Sequence, residues 1–363
     1  MDIRLENVLE YEQPTKYIVK SENYSDDFAL PVLTAGKSFV LGYTDETEGV
    51  CKASENPVII FDDFTADCKY VNFDFKVKSL AMKILHKANA EDNLKYYFYA
   101  MQAIDYTPFS HKRVWISEYS KFKIENRSVA EQNNIVKDLD TVATAIDNAK
   151  QRLNALDELV KSRFIEMFGD PITNSKNLPE LTLPELGEFG RGVSKHRPRN
   201  APELLGGKYP LIQTGEVANA ELYINGYTNT YSELGYKQSK MWKAGTLCIT
   251  IAANIAKTGI LSFDACFPDS VVGFHANEKT NNIFIHFWFT FFQEILEAQA
   301  PASAQKNINL RILSDLKVIV PPIELQNEFA DFVKLTDKSK FIVQKQIEDL
   351  QELLDSKMDE YFG

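Results

Sequence analysis

Basic and amide side chains are concentrated in one short stretch of the chain. Lys195, Arg197 and Arg199 lie within five residues, and Gln213 and Thr214 follow soon after. Lysine and arginine neutralise DNA phosphates and make affinity depend on salt. Glutamine bonds bidentately to adenine, arginine to guanine, and threonine to either. The stretch therefore fits DNA recognition, although a solvated basic loop followed by an ordinary strand end has the same composition.

A second group of residues is of the kind that binds a metal. Asp62 and Asp63 precede Asp74 and Lys76. In nucleases, carboxylates hold the metal ion and a lysine orients the attacking water. The spacing here is loose and the second half of the chain has no counterpart, so exposed strand and turn charges are the simpler interpretation. A metal-dependent nuclease stays open as an alternative.

Other catalytic and metal-binding patterns are missing from the sequence. There is no GxxxxGK[ST], and no GxGxxG follows a predicted strand. Asn56-Pro57 begins like an adenine-methyltransferase motif but lacks the second proline and the stacking aromatic. The four cysteines form no CxxC pair, which predicts reduced, partly buried thiols and no zinc site. The chain therefore reads as a binding protein without a metal, a cofactor or catalytic residues of its own.

The bulk composition describes an ordinary globular protein with an acidic balance. The formal net charge of −11 argues against a nucleic-acid binder, but the charge is unevenly distributed, because two helical segments are acid-rich and basic clusters lie elsewhere. No basic, apolar leader begins the sequence, and the longest apolar stretch is too short to span a membrane. We expect a cytoplasmic protein that does not enter membranes.

Two long helices are predicted to position these side chains. The segment 130–169 recurs without a gap as 324–363, 194 residues later. Apolar positions in both copies are separated by steps of three and four, which is the heptad pattern of a coiled coil. In the second copy Thr336 and Lys340 interrupt the pattern, and we expect Phe341 to take over locally. The predicted seam residues are Ile135, Leu139, Val142, Ile146, Leu153 and Leu156 in the first copy, and Phe329, Val333, Val343, Ile347, Leu350 and Leu354 in the second.

The rest of the chain is predicted to form two similar β-rich domains. Leu5 and Val8 correspond to Leu183 and Leu186, and the run that starts at Pro31 parallels the run that starts at Pro210. We expect an α+β fold with two β-rich domains (1–115 and 170–312) and two long helical spacers (116–169 and 313–363). The helices would pack as an antiparallel coiled coil, and the two halves would be related by a pseudo-twofold axis.

Several segments are typical of one protein family: 209–217, 245–255, 267–274, 307–309, 316–326 and Phe168-Gly169-Asp170-Pro171. On these segments the chain resembles the DNA-specificity (S) subunits of Type I restriction-modification systems. The resemblance spans essentially the whole chain and is clearest in the second half. The first half departs most in its recognition region and has Arg127-Ser128 where the second half has Pro321-Pro322.

The resemblance implies a non-catalytic subunit with two target-recognition domains. Each domain would read one half of a bipartite site in double-stranded DNA, and the helices would fix the separation of the half-sites. Two modification subunits would dock on the subunit, bind S-adenosylmethionine and methylate adenine. In systems that also cleave DNA, two restriction subunits that use ATP and Mg²⁺ would join them.

On this interpretation Lys195, Arg197, Arg199, Gln213 and Thr214 would contact DNA in the second domain. Their rough counterparts in the first domain would be Thr34, Lys37 and Lys69. The alternative to a DNA-recognition subunit is a structural protein that assembles through its coiled coil and does not bind DNA. It would show no sequence-selective DNA binding even beside a methyltransferase.

Overall fold

The computed structural model of the protein describes residues 2–35, 38–109, 112–252, 255–299 and 308–363. The chain forms two compact units. Unit 1 contains Met1–Gln151 and Gln344–Gly363, and unit 2 contains Arg152–Val343. No helix among the described residues is long and apolar enough to cross a membrane.

Unit 1 is built from short strands in three small sheets. The four-stranded sheet has the order β2-β8-β5-β6, the three-stranded sheet the order β4-β3-β7, and β1 pairs with β9. The Val/Ile-rich strand β5 is buried along its whole length, as expected for a central strand. The strands are β1 (Asp2–Arg4), β2 (Leu9–Glu12), β3 (Leu30–Leu33), β4 (Val40–Thr44), β5 (Val58–Asp62), β6 (Cys68–Val71), β7 (Lys76–Val77), β8 (Met82–Lys87) and β9 (Lys123–Glu125).

Two helices begin in unit 1. Helix α1 (Leu94–Gln102) starts at Asn93, whose side chain accepts a hydrogen bond from the Lys95 amide. Helix α2 (Val129–Phe168) starts at a capping box, because the Ser128 amide donates to Glu131 Oε2 at 2.9 Å and the Glu131 amide donates back to Ser128 Oγ at 3.4 Å. This box explains how α2 begins without the proline pair of the second half.

Unit 2 repeats this design with larger sheets, in the orders β11-β19-β16-β17-β13 and β14-β12-β18-β15, and β10 pairs with β20. Its strands are β10 (Glu180–Thr182), β11 (Gly187–Arg191), β12 (Leu205–Leu211), β13 (Tyr223–Ile224), β14 (Asn229–Tyr231), β15 (Met241–Trp242), β16 (Leu247–Thr250), β17 (Thr258–Leu261), β18 (Ala265–Cys266), β19 (Val271–Ala276) and β20 (Lys317–Ile319). Its helices are α3 (Leu183–Leu186), α4 (Thr214–Ala218), α5 (Glu233–Lys237), α6 (Asn282–Gln299), α7 (Leu310–Asp315) and α8 (Ile323–Phe362), which ends in unit 1.

The internal repeat extends to strand pairing. Strand β9 pairs with β1 and leads into α2, and β20 pairs with β10 and leads into α8. Strand β3 is antiparallel to β4 and parallel to β7, and β12 is likewise antiparallel to β14 and parallel to β18. The match between the runs at Pro31 and Pro210 therefore reflects equivalent strands.

The long helices pack against each other in opposite directions within each unit. In unit 1 the Tyr361 hydroxyl donates to Asp138 Oδ2 at 2.8 Å. In unit 2 Lys340 pairs with Asp157, and Arg163 Nη2 lies 3.0 Å from Glu328 Oε1. Within unit 2, the partner on α8 moves from Lys340 back to Glu328 as the position on α2 moves from Asp157 to Arg163, which defines an antiparallel pair. The predicted α+β fold with two long antiparallel helices is confirmed.

The predicted seam residues have different environments along the helices. Ile135, Leu139, Val142, Ile146, Phe329, Val333 and Val343 are buried, whereas Leu153, Leu156, Ile347, Leu350 and Leu354 are half-buried. The expectation for Phe341 was wrong, because its side chain is 71% exposed and the Thr336 side chain is buried instead. Thr336 satisfies its hydroxyl by donating to the Phe332 carbonyl one helical turn earlier.

Candidate DNA-recognition surface

The basic stretch of unit 2 forms an exposed loop between β11 and β12. The side chains of Lys195, Arg197 and Arg199 are all exposed. The base of the loop is anchored by Gln238, whose Oε1 accepts hydrogen bonds from the Lys195 amide at 2.5 Å and the His196 amide at 3.0 Å. The loop therefore presents its basic side chains from a fixed backbone.

Asp269, which precedes β19, holds the two arginines of this loop. Its Oδ2 lies 3.4 Å from Arg197 Nη2 and its Oδ1 lies 2.5 Å from Arg199 Nη2. Arg197 Nη1 also donates to the carbonyls of Ser194 at 2.7 Å and His196 at 2.8 Å. Both guanidinium groups are oriented by the protein, and about half of each side chain stays in solvent, with 55% of the Arg197 side chain and 44% of the Arg199 side chain exposed.

Gln213 and Thr214 lie at the other end of β12, where α4 begins. The Gln213 amide donates to Glu216 Oε2 at 3.0 Å, and the Thr228 hydroxyl donates to Glu216 Oε1 at 2.5 Å. Burial raises the pKa of the Glu216 carboxyl, but these hydrogen bonds outweigh it and hold the pKa below its usual value. A carboxylate thus ties together the two ends of the segment 213–228.

This segment surrounds an open concavity of about 470 Å³. Its polar lining includes the side chains of Gln213, Asn219, Tyr223, Asn225 and Thr228. Amide groups of this kind both donate and accept, which is the pattern that adenine presents in the major groove. The concavity and the basic loop are separate features that flank β12 in the same unit.

The candidates in unit 1 are less concentrated. Thr34 follows β3, is half-buried, and donates its amide to the Phe39 carbonyl at 3.0 Å. Lys69 is exposed on β6, the edge strand of a different sheet. Lys37 lies outside the described residues. Thr34 has a position equivalent to that of Gln213, because it follows β3 as Gln213 follows β12, whereas Lys69 has no such counterpart among the described candidates.

The aspartates and lysine of the nuclease alternative do not converge. Asp62 caps a turn by accepting the Phe64 amide at 2.9 Å. Asp63 forms a buried ion pair with Lys83 at 3.2 Å, Asp74 an ion pair with Lys52 at 2.7 Å, and Lys76 an ion pair with Glu46 at 3.0 Å. In the described part of the chain, no three His, Cys, Asp or Glu side chains are arranged to hold a metal ion. These four residues have separate structural roles.

One exposed apolar patch lies on α8 within unit 2. Leu335, Phe341 and Ile342 are each about two-thirds exposed. Phe341 and Ile342 line a shallow concavity of about 630 Å³ together with Tyr223. The equivalent positions of α2 are the polar residues Thr141, Asp147 and Asn148. The patch therefore belongs to only one of the two repeated helices.

Comparison with known proteins assigns the chain to a family. Residues 180–352 match the model of the Type I restriction modification DNA specificity domain. The specificity subunit of the Type I restriction enzyme EcoR124I/EcoR124II from Escherichia coli is 30% identical, over 98% of this chain and 91% of that subunit. The chain belongs to the Type I specificity subunits. This specificity subunit contributes DNA sequence recognition to a restriction-modification complex, acts with other subunits, and is not the catalytic component.

More distant relatives agree with this assignment. A putative specificity subunit of enzyme MjaX from Methanocaldococcus jannaschii is 21% identical over 65% of this chain and 57% of that protein. The S subunit from M. genitalium has a TM-score of 0.59 at 14% identity and is covered to 96%. A chain from a structure of type I complex assembly and conformational transition has a TM-score of 0.58 at 14% identity. Both structures cover all of this chain and show that the fold is shared.

Three residues that shape the surface of this specificity subunit were missed by the sequence analysis. Asp269, Glu216 and Gln238 each hold a candidate DNA-contacting residue in place. Asp269 and Gln238 lie some 40 to 70 residues from the groups they bind, so no local pattern identifies them. Glu216 lies three residues after Gln213 in a capping box, but the Ser, Thr, Asp or Asn that marks a helix start in sequence is replaced by Gln213.

Proposed function

We propose that this specificity subunit reads a bipartite site in double-stranded DNA, with one half-site for each β-rich domain. The exposed loop with Lys195, Arg197 and Arg199 supplies phosphate and guanine contacts, and Gln213 with Thr214 reads base edges. The single observation that supports this best is the pairing of a fixed basic loop with an amide-lined concavity around one strand. In unit 1, Thr34, Lys37 and Lys69 have the corresponding role.

We further propose that the chain works in the cytoplasm with two modification subunits, which supply S-adenosylmethionine and the adenine methylation. Where the system also cleaves DNA, two restriction subunits bring ATP and Mg²⁺. The exposed apolar side chains of Leu335, Phe341 and Ile342 support a subunit contact in unit 2, since exposed apolar surface favours association. Its absence from α2 means that the second copy of the partner uses other contacts.

The test of base reading is Gln213→Ala in cells that express the complete system. Methylated adenines mapped across the genome should show a relaxed preference at one position of one half-site, because a good bidentate contact contributes about 1–3 kcal/mol of discrimination. The exposed Gln351 of α8, replaced with alanine, is the matched control and should leave the motif intact. An unchanged motif in Gln213→Ala would remove Gln213 from the interface.

The spacing role of the helices has its own test. A seven-residue insertion at matched positions of α2 and α8 keeps the heptad register and lengthens the pair by roughly 10 Å. The mapped spacer should then grow by up to about three base pairs at ~3.4 Å per step, with both half-sites unchanged. A spacer of constant length in such a variant would show that the helices do not set it.

A further inference from the structure

The arrangement of Asp269 with Arg197 and Arg199 has a consequence for specificity. Two arginines on one loop bring a charge of +2, and Asp269 reduces it to +1. Asp269 Oδ1 has essentially no solvent-accessible surface, because it faces the Arg199 guanidinium at 2.5 Å. A carboxylate thus occupies the position that a DNA phosphate would take beside these guanidinium groups.

The pairing leaves part of each arginine available to DNA. An arginine has five N–H donors, and each of these two uses one nitrogen, Nη2, toward Asp269. Arg197 directs Nη1 to two backbone carbonyls, which fixes the plane of its guanidinium. Exposed ion pairs contribute little to folding stability. We therefore expect the ion pairs of Asp269 with the two arginines to affect mainly DNA binding.

We propose that Asp269 is a specificity-determining positioning residue: it orients Arg197 and Arg199 for the cognate site and suppresses their attraction to phosphates of any other sequence. This inference rests on the proposed DNA-reading function. Non-specific affinity comes almost wholly from phosphate neutralisation, so a residue that cancels one positive charge reduces mainly that component. The oriented arginines keep their base contacts, which carry the sequence information.

The test compares binding of the assembled complex to two labelled duplexes. One carries the motif found by methylation mapping and the other a scrambled sequence, and affinities are measured from 50 to 200 mM salt. With Asp269→Asn, the log–log salt slope on the scrambled duplex should steepen by about 0.9, the value for one additional phosphate contact. Over that salt range this is an extra loss of affinity of about 3.5-fold. Discrimination between the duplexes should fall.

Matched variants separate this role from a general change in charge. Asp264→Asn removes the same charge from another carboxylate of unit 2, which pairs with Lys243 at 2.8 Å, and should behave as the wild type. Asp269→Glu keeps the charge and should restore most of the discrimination. In a background of Arg197→Gln and Arg199→Gln, Asp269→Asn should no longer alter the salt slope. A change of slope caused only by misfolding of the Asp269→Asn variant would persist in that background.

The outcomes distinguish this inference from the function on which it rests. If the wild-type complex discriminates between the duplexes and Asp269→Asn has the same slope and discrimination, only the role of Asp269 is refuted. Weaker binding of Asp269→Asn to the scrambled duplex would refute it as well. If the wild-type complex binds both duplexes equally, the proposed function fails and this inference fails with it.

Discussion

Replacing Gln326 with leucine tests how the start of α8 is joined to the core of unit 2. The Gln326 side chain has no exposed surface. Its Oε1 accepts hydrogen bonds from Thr280 Oγ1 at 2.8 Å and from the Asn281 amide at 3.3 Å. Its Nε2 donates to the carbonyls of Lys279 at 3.0 Å and Pro321 at 2.8 Å. One carboxamide therefore connects the start of α8 with the segment that leads into α6.

The cost of the change follows from the groups left without partners. Leucine has a similar volume but no polar atoms, so four protein groups lose a hydrogen bond. The bonds to Thr280 and Pro321 are buried, and those to Asn281 and Lys279 are partly buried, where water replaces some of the loss. Each buried unsatisfied group costs about 1–3 kcal/mol, so we expect Gln326→Leu to lower the free energy of unfolding by about 3–5 kcal/mol.

The internal repeat supplies a matched comparison in unit 1. Gln132 is the equivalent residue and is 2% exposed. It accepts the Asn93 amide at 2.8 Å and donates to the Arg127 carbonyl at 3.1 Å, both in partly buried surroundings. Because fewer groups are left unsatisfied, Gln132→Leu should lower the free energy of unfolding by only about 1–3 kcal/mol.

Urea unfolding and hydrogen exchange measure this difference. Exchange should accelerate at the first amides of α6 in Gln326→Leu and at those of α1 in Gln132→Leu. The exposed Gln351, replaced with leucine, should change the free energy of unfolding by less than about 0.5 kcal/mol. A loss below 1 kcal/mol in Gln326→Leu, or one no larger than in Gln132→Leu, would refute this reasoning about the carboxamide.

Three further predictions concern buried titratable groups. Lys83→Met leaves Asp63 as an uncompensated buried charge and should lower the free energy of unfolding by about 3–5 kcal/mol in urea titrations. The double variant with Asp63→Asn should recover much of this loss, because asparagine removes the charge and can still accept the hydrogen bond of the buried Trp115 amide. Burial lowers the pKa of His286 from 6.5 to about 4, so between these pH values the unfolded chain binds a proton that the folded chain does not. Stability should therefore fall by up to about 3 kcal/mol as pH falls through this window, and His286→Gln should lack this component in urea titrations at pH 7, 5.5 and 4.5. Burial raises the pKa of Cys51 to about 11 and of Cys68 to about 12, so a thiol reagent at pH 8 should label these cysteines only after urea is added.

The long helices were predictable because their signal is local. Apolar residues at steps of three and four, with no Gly or Pro between them, define a helix from neighbouring positions alone. The predicted start and end of the first copy, 130 and 169, differ by one residue from Val129–Phe168. The duplicated strands were predictable for a related reason, since runs such as Pro31–Leu33 and Pro210–Ile212 keep their apolar character where they face a core.

The environment of the seam was harder to predict, because it depends on what lies beside each helix. Ile135 and Leu139 pack in a cluster with Tyr96 and Trp115 of the globular part of unit 1. Phe164 and Phe329 pack edge to face within the core of unit 2, with ring centroids 5.4 Å apart. A heptad pattern identifies the apolar side of a helix but not which neighbour covers it. For this reason Phe341, beside an interruption in the pattern, was assigned to the wrong side.

The net charge of −11 argues against DNA binding only when charge is averaged over the whole chain. Many acidic residues belong to α2 and α8, where basic residues of the helices pair with them, as in Lys161–Glu158 and Arg163–Glu328. The basic loop has its own local charge balance, in which Arg197 and Arg199 both pair with the carboxylate of Asp269. Screening limits exposed charges to a range of about 8–10 Å at physiological salt, so a phosphate at the loop responds to this local balance more than to the total. Removing Asp269 should therefore change DNA binding far more than removing an acidic residue from the helices, although both changes alter the net charge by the same amount.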